Sequence, residues 1–131
     1  MDNLIEKTKQ LIGKDRFATV NGITLEDVST GTAIAKMIIN EQHLNGLGTV
    51  QGGAIFTLAD LASAAASNSY GIPTVALSCN ISFIKAAKTG VLTAKATEVY
   101  RRRTVAGYEV RITDEEENLV AVFNSTSYIK N

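Results

Sequence analysis

Hydrophobic and polar positions along the chain follow two periods, and each period predicts its own kind of element. Apolar residues recur at helical spacing over residues 2–13, and a nearly continuous run of small apolar residues over Gly52–Asn68 predicts a second helix. Strand-like runs predict six strands, at Thr24–Ser29, Thr32–Ile39, 74–83, Val91–Tyr100, Thr104–Thr113 and Leu119–Ile129. Asn40–Gln51 has no clear period and is predicted to be a loop. Consecutive strands with tight turns favour an antiparallel sheet and the α+β class.

The strand predicted over residues 74–83 has the clearest alternation. Its odd positions from Val75 to Phe83 are apolar, and its even positions are small or polar. A period of two predicts one buried face and one polar face. Cys79 falls on the apolar face, so we expect it in the core rather than as a nucleophile.

The predicted helix Gly52–Asn68 is apolar nearly all round, and its side chains are mostly small. Such a helix is typically buried, so we expect the antiparallel sheet to curl around it. Asp60 is the only charged residue between Glu41 and Lys85. A lone acid on a helix is often solvated or caps a loop. Because burial of a carboxylate is costly and raises its pKa, the apolar surroundings of Asp60 favour a functional role.

Gly52 and Gly53 begin the same helix. The first N–H groups of a helix lack internal partners and carry partial positive charge, and glycine lets a ligand approach them closely. This favours binding of a developing oxyanion, although a flexible helix entry is the alternative. Asp60 lies eight residues beyond Gly52, about 12 Å along the axis at ~1.5 Å per residue. If both groups act on one carbonyl, the carboxylate must come from a second copy, so this interpretation requires a dimer.

Two longer stretches of sequence carry a resemblance to a known family. In NGLGTVQGGAIFTLAD an Asn is followed six residues later by Gln51, then directly by Gly-Gly at the helix start, and then by Leu-x-Asp on the helix. The stretch TVALSCNISFIKAAKTGVLTAKATEV comes later in the chain. From Asn45 to Tyr128 the chain resembles the hotdog-fold acyl-CoA thioesterases of the phenylacetate-degradation type. The resemblance implies a six-stranded antiparallel sheet wrapped around a central helix. It also implies a homodimer with one continuous sheet, often paired again into a homotetramer.

The resemblance also implies roles for particular residues. The Gly52 N–H would polarise the thioester carbonyl, with Gly53 next to it, and Asp60 of the opposite protomer would act as nucleophile or general base. Asn45 would hold the water or help to bind the carbonyl. Gln51 stands where the family has His, and its amide can form hydrogen bonds but cannot transfer a proton.

A second departure concerns the strand after the helix. Some relatives carry a catalytic Ser there, and that position aligns with Ala76. Ser78, two residues on and expected on the same face, is the candidate substitute. The leading prediction is hydrolysis of a small aromatic or medium-chain acyl-CoA to a carboxylate and free CoA. The departures at Gln51 and Ala76 motivate the alternative, a non-catalytic acyl-CoA-binding module.

The remaining candidates for binding or catalytic roles are a group of basic residues and the only histidine. Five basic side chains could bind the phosphates of CoA. The alternative is that they are solvated turns, as runs of charge usually are. The five are Lys85, Lys88, Arg101, Arg102 and Arg103. We expect His43 to be a surface residue. A dehydratase that depends on it is a third possibility.

Composition narrows the class of protein further. A length of 131 residues fits one domain spanning 1–131, and 13 basic against 13 acidic residues argue against nucleic-acid binding by bulk charge. One cysteine excludes an internal disulfide and favours the cytoplasm. No apolar stretch is long enough to span a membrane. One histidine and one cysteine make a metal site unexpected, so no cofactor is predicted beyond the CoA of the substrate.

Overall fold

The computed structural model describes residues 2–130, and these form three α-helices and six strands. Both predicted helices and all six predicted strands are present. The elements are α1 (Asp2–Gly13), α2 (Arg16–Val20), β1 (Ile23–Ser29), β2 (Thr32–Ile38), a 3-10 turn (Glu41–His43), α3 (Gly52–Ser67), β3 (Thr74–Phe83), β4 (Val91–Arg101), β5 (Val105–Thr113) and β6 (Leu119–Ile129). Within this part of the chain, none of the helices has the length and apolar character needed to cross a membrane.

Two short elements were not predicted. Helix α2 has only five residues, too few to show a period, and it is started by Asp15, whose side chain accepts a hydrogen bond from the Ala18 N–H at 2.9 Å. The 3-10 turn lies inside the predicted loop. Helix α2 depends on the capping side chain of Asp15, and the 3-10 turn depends on reciprocal side-chain bonds of Asn40 and His43. Periodicity detects neither.

The six strands form one antiparallel sheet in the order β1-β2-β4-β5-β6-β3. Helix α3 packs across one face of it, mainly against β2, β4 and β5. Many of the buried residues on both sides are alanines, whose small side chains allow close approach of helix and sheet. Fully buried alanines are Ala59, Ala62, Ala65 and Ala66 on the helix and Ala35, Ala94, Ala96, Ala106 and Ala121 on the strands. The predicted enclosure of the helix by a curled sheet is confirmed.

Strand β3 lies at the edge of the sheet and pairs only with β6 within this chain. The prediction of a buried apolar face on β3 is wrong for the single chain, because Val75, Leu77 and Phe83 are 45%, 60% and 54% exposed. Cys79 is also exposed rather than in the core. Helix α3 packs mainly against β2, β4 and β5 and covers little of this edge strand.

A β-bulge changes the side to which the residues of β3 point. Ala76 pairs with Ser127, but Ser78 pairs with Thr126, so Leu77 is an extra residue in the ladder. Because side chains alternate along a strand, one extra residue reverses the alternation. Ala76 and Ser78 therefore lie on opposite faces, and the expectation that they share a face is wrong.

The hydrogen bond of Ser125 shows which residues of β3 and β6 point to the helix side of the sheet and which to the outer side. The Ser125 hydroxyl forms a hydrogen bond of 2.8 Å with Ser63 of α3, so Ser125 points to the helix side of the sheet, and Ser127, two residues on, points the same way. Ala76, opposite Ser127, is therefore on the helix side, and Ser78 is on the outer side.

His43 is buried, so the expectation of a surface histidine is wrong. Its side chain is 3% exposed, and Nδ1 accepts a hydrogen bond from the Asn40 N–H while Nε2 contacts the Asn21 carbonyl. Since Nδ1 accepts, the proton is on Nε2, which donates to that carbonyl. Both ring nitrogens are used to hold the 3-10 turn against the end of α2, which speaks against a His43-dependent dehydratase.

Candidate active site

The start of α3 leaves one backbone donor available. Gln51 caps the helix, and its side-chain Oε1 accepts a hydrogen bond from the Gly53 N–H at 2.6 Å. The Gln51 carbonyl accepts from the N–H groups of Ala54 at 2.9 Å and Ile55 at 3.4 Å. The Gly52 N–H has no hydrogen-bond partner among residues 2–130. The predicted donor at Gly52 is thus open, whereas the Gly53 N–H is already used.

Phe83, at the end of β3, lies directly beside Gly52. A Cβ atom added at residue 52 would come within 2.9 Å of the Phe83 Cζ, closer than real contacts allow. A larger residue at position 52 would therefore have to displace the ring of Phe83. The available N–H consequently lies next to an aromatic side chain that is half exposed.

Asp60 lies two turns further along α3 and is half buried. It makes no hydrogen bond or salt bridge to any of the residues that the structure describes. Burial, followed by the nearby negative charge of Asp15, raises the pKa of its carboxyl group. The acid is therefore neither neutralised by a cation nor held by a capping interaction.

Asp60 lines a cleft of about 330 Å³. The cleft lies between α3, the loop that follows it and the first residues of β3, with the end of α1 at its rim. Its apolar lining includes Ile12, Ala64, Pro73, Val75 and Ala76, and its polar lining includes Ser63, Ser67, Asn68, Thr74 and Ser127. The cleft can therefore hold an acyl group beside the carboxylate of Asp60.

Within one chain the donor and the acid are separated. Gly52 lies beside Phe83 at the end of β3, and Asp60 shares its cleft with Ala76 near the start of β3. Eight residues of helix separate them, about 12 Å along the axis. A single carbonyl cannot contact both groups of one chain.

Asn45 organises the loop before α3. Its Oδ1 accepts hydrogen bonds from the N–H groups of Leu47 at 2.9 Å and Thr49 at 3.2 Å. The loop is tied to the helix start, since the Gln51 N–H donates to the His43 carbonyl at 2.7 Å. The oxygen of Asn45 is therefore used within its own loop, and its NH2 group is the part left for a ligand.

Ser78 does not face the Asp60 cleft. It lines a separate groove of about 440 Å³ on the outer side of the sheet, together with Tyr100, Gly107 and Thr126. The bulge at Leu77 is the physical reason, because it turns Ser78 away from α3.

The five candidate basic residues do not form one patch within the chain. Lys85 and Lys88 precede β4, whereas Arg101 is its last residue and Arg102 and Arg103 follow it. The 11 residues of β4 span about 36 Å at ~3.3 Å per residue. Lys85 forms a salt bridge of 2.7 Å with Asp114, which lowers the pKa of that acid to about 2.

Arg101 is engaged inside the protein. Its guanidinium lies 3.7 Å from the centre of the Tyr70 ring, and Nη1 lies 3.4 Å from the Tyr108 hydroxyl and 3.9 Å from Glu98 Oε1. Nη1 of Arg101 is therefore already engaged within this cluster. Lys88, Arg102 and Arg103 are exposed.

Sequence reasoning missed Ser127 and Asp15, which lie close to Asp60. The sequence does mark Ser127 as unusual. The odd positions of β6 from 121 to 129 form its buried face, and they are apolar at 121, 123 and 129 but serine at 125 and 127. Polar residues at positions of a buried face are unusual and indicate either internal hydrogen bonds or a site. No local signal connects Asp15 with Asp60, because α2 is too short to be predicted.

Comparisons with known proteins identify the family of this chain. The family model of the thioesterase superfamily matches residues 47–121. The chain is 34% identical over 115 residues to the acyl-coenzyme A thioesterase PaaI of Escherichia coli, covering 87% of this chain and 82% of that protein.

Solved structures are also similar to this chain. The structure of the E. coli PaaI protein from the phenylacetic acid degradation operon has a TM-score of 0.93 at 29% identity, covering 98% of this chain and 95% of that one. A hypothetical thioesterase protein from Streptococcus pneumoniae, solved with coenzyme A, has a TM-score of 0.85 at 28% identity, covering 93% of this chain and 96% of that one. The hotdog fold and the resemblance to the phenylacetate-degradation type are confirmed. The chain belongs to the thioesterase superfamily.

Proposed function

We propose that the protein hydrolyses acyl-CoA thioesters to a carboxylate and free CoA, with a small aromatic or medium-chain acyl group as substrate. The single observation that carries the proposal is the unpaired Asp60 in its cleft, on the same helix whose first N–H is open at Gly52. The relatives named acyl-coenzyme A thioesterase, and the S. pneumoniae structure with coenzyme A, support the same reaction.

The active form is proposed to be a homodimer joined through β3, and pairing of two dimers would give a tetramer. An exposed edge strand with apolar side chains is a surface that favours pairing with another strand. When two β3 strands pair antiparallel, the start of one lies against the end of the other. This would bring Asp60 of one chain, near Ala76, towards Gly52 of the other, near Phe83.

The proposed mechanism follows from these two groups. The thioester oxygen accepts a hydrogen bond from the Gly52 N–H, where the positive end of the helix stabilises the charge that develops in the tetrahedral intermediate. Asp60 of the partner takes a proton from water while the water oxygen attacks the carbonyl carbon. When the C–S bond breaks, the proton returns to the thiolate. A raised pKa makes Asp60 a stronger base than an ordinary carboxylate.

A thiol-release assay across acyl-CoA substrates tests the proposal. The panel contains acetyl-, octanoyl-, palmitoyl-, benzoyl- and phenylacetyl-CoA. We expect turnover of the aryl and medium-chain members and a loss of at least ~100-fold in Asp60→Asn, in the range for removal of a general base. Asp27→Asn, an exposed acid on β1, is the control and should keep wild-type rates.

Two outcomes would contradict the proposal. Binding of CoA without release of thiol from any substrate would favour the acyl-CoA-binding module instead. Full activity of Asp60→Asn would remove the acid from the mechanism. Single-turnover hydrolysis in H2(18)O separates the two roles of Asp60, since only the nucleophile mechanism incorporates the label into its carboxyl group.

A further inference from the structure

The polar side chains that line the Asp60 cleft differ in whether they have partners. Four of them are satisfied within the protein: Ser63 by Ser125, Ser67 by the Ala64 carbonyl, Asn68 by the Thr74 backbone, and Thr74 by the Ile72 carbonyl. Two remain, Asp60 and Ser127, and neither has a side-chain hydrogen bond to any of residues 2–130.

Ser127 is almost entirely buried, with 2% of its surface exposed. Unpaired polar groups at such depth cost free energy, and in proteins they are usually bonded to protein or solvent. No side-chain oxygen or nitrogen that is fully enclosed in the described part of the chain lacks a partner, so the Ser127 hydroxyl is not fully enclosed. Ser127 lines the cleft, which is where its hydroxyl is accessible. It therefore presents an unused hydrogen-bonding group to whatever occupies the space beside Asp60.

The neighbours of Ser127 leave room in front of its hydroxyl. In the sheet it pairs with Ala76 of β3 on one side and with Ala106 of β5 on the other. Both have only a methyl group, so neither can bond the hydroxyl or block it. The arrangement differs from that of Ser125, whose hydroxyl is held by Ser63 at 2.8 Å.

We propose that Ser127 is a positioning residue that holds the hydrolytic water beside Asp60 of the same chain. This inference rests on the proposed function. The Ser127 Oγ accepts a hydrogen bond from one O–H of the water, and the carboxylate of Asp60 takes the proton of the other as the oxygen attacks the carbonyl. A water held at two points keeps its lone pair directed at the carbon, and this orientation lowers the barrier without changing how tightly the acyl-CoA binds.

The role predicts a particular kinetic effect. Ser127→Ala should lower kcat by about 10- to 100-fold, the effect of losing one positioned hydrogen bond to a reacting group. KM should stay within about twofold, and the factor should be the same for octanoyl-, benzoyl- and phenylacetyl-CoA, because the water is common to all of them. Ser125→Ala is the matched control on the same strand and face, and its kcat should stay at the wild-type level.

Moving the hydroxyl across the ladder is a more specific test. Directly opposed residues of antiparallel strands have Cβ atoms about 5 Å apart, so Ala76→Ser combined with Ser127→Ala places a hydroxyl on the same wall of the cleft. The double variant should recover at least about tenfold in kcat over Ser127→Ala. A purely structural role for Ser127 predicts no recovery. Ser127→Cys, which keeps the size but weakens the acceptor, replaces Ser127→Ala if thermal melting shows that the latter is unfolded.

The outcomes separate this inference from the proposed function. A wild-type protein without hydrolase activity overturns both. An inactive Asp60→Asn together with a fully active, folded Ser127→Ala overturns only the role of Ser127. An effect of Ser127→Ala that appears in KM and only for some acyl groups also overturns it, because the hydroxyl would then contact the acyl group and not the water.

Discussion

The ring of Phe83 lies so close to Gly52 that a Cβ at residue 52 would stand 2.9 Å from its Cζ atom. The end of the edge strand and the start of the central helix are thus packed against each other at the open backbone donor. Any side chain at residue 52 must displace the ring, and the displaced ring or the new methyl group then crowds the N–H.

We therefore expect Gly52→Ala to lower kcat/KM by at least ~10-fold, since the loss of an oxyanion donor commonly costs 100-fold or more. The measurement is steady-state hydrolysis of the best substrate of the panel. Gly13→Ala is the control, because a Cβ there meets only ordinary contacts with Leu25 at 3.8 Å. Equal activity of Gly52→Ala and Gly13→Ala would contradict the proposed role of this donor.

Asp15 should control the pH dependence of the enzyme through Asp60. Its negative charge contributes to the raised pKa of Asp60, and the base must be ionised to act. In Asp15→Asn the pKa of Asp60 falls, so the acidic limb of the kcat/KM profile should shift to lower pH. Asparagine keeps an oxygen that can accept from the Ala18 N–H, so the cap of α2 is retained. An unshifted limb, as expected for the control Asp27→Asn, would contradict the coupling.

Asp60→Asn should also make the fold more stable at neutral pH. The pKa of Asp60 is raised in the folded protein, so the protonated form is favoured by folding, and stability is lost as pH rises from the unfolded pKa through the folded pKa. Asparagine does not ionise and avoids this loss. Melting curves should give a higher Tm for Asp60→Asn than for wild type at pH 7 and a smaller difference at pH 3. A variant that is less stable at both pH values would show that the acid is structural.

The cluster around Glu98 should contribute to stability and not to catalysis. Glu98 accepts hydrogen bonds from the Tyr108 hydroxyl at 2.7 Å and the Tyr70 hydroxyl at 2.9 Å. Burial and the bond to Glu98 raise the pKa of Tyr108 strongly, so it stays a donor throughout the physiological range. Tyr108→Phe should lower the free energy of unfolding by about 1–3 kcal/mol with unchanged kcat. Urea titration measures this, and Tyr128→Phe, at an exposed tyrosine, is the control.

The edge of β3 should be the dimer surface. Leu77→Lys places a charge at an exposed apolar position of this strand, and charges on an edge oppose strand pairing. Sedimentation should show a shift towards monomer. Hydrolysis should be lost as well, because Gly52 of one chain and Asp60 of the other would no longer form one site. Ile38→Lys, at a position of β2 that is 68% exposed, should remain a dimer. A fully active Leu77→Lys monomer would contradict the shared site.

The sequence by itself determined the elements that depend on local pattern. The long helix, the six strands and the isolation of Asp60 among apolar residues follow from periodicity and from the cost of burying charge. The unpaired N–H groups at the start of the helix and the distance from Gly52 to Asp60 follow from helix geometry alone. These features involve neighbours within a few turns, and the neighbours can be read directly from the chain.

The tertiary structure alone decided which surfaces are covered and which side chains share a space. A bulge at Leu77 moved Ser78 to the outer face, the position of β3 at the edge left Cys79 exposed, and the contact with Asn21 buried His43. Ser127 entered the Asp60 cleft from a strand that begins more than fifty residues later in the chain. Strand order and register are set by long-range pairing, which one sequence read locally does not specify.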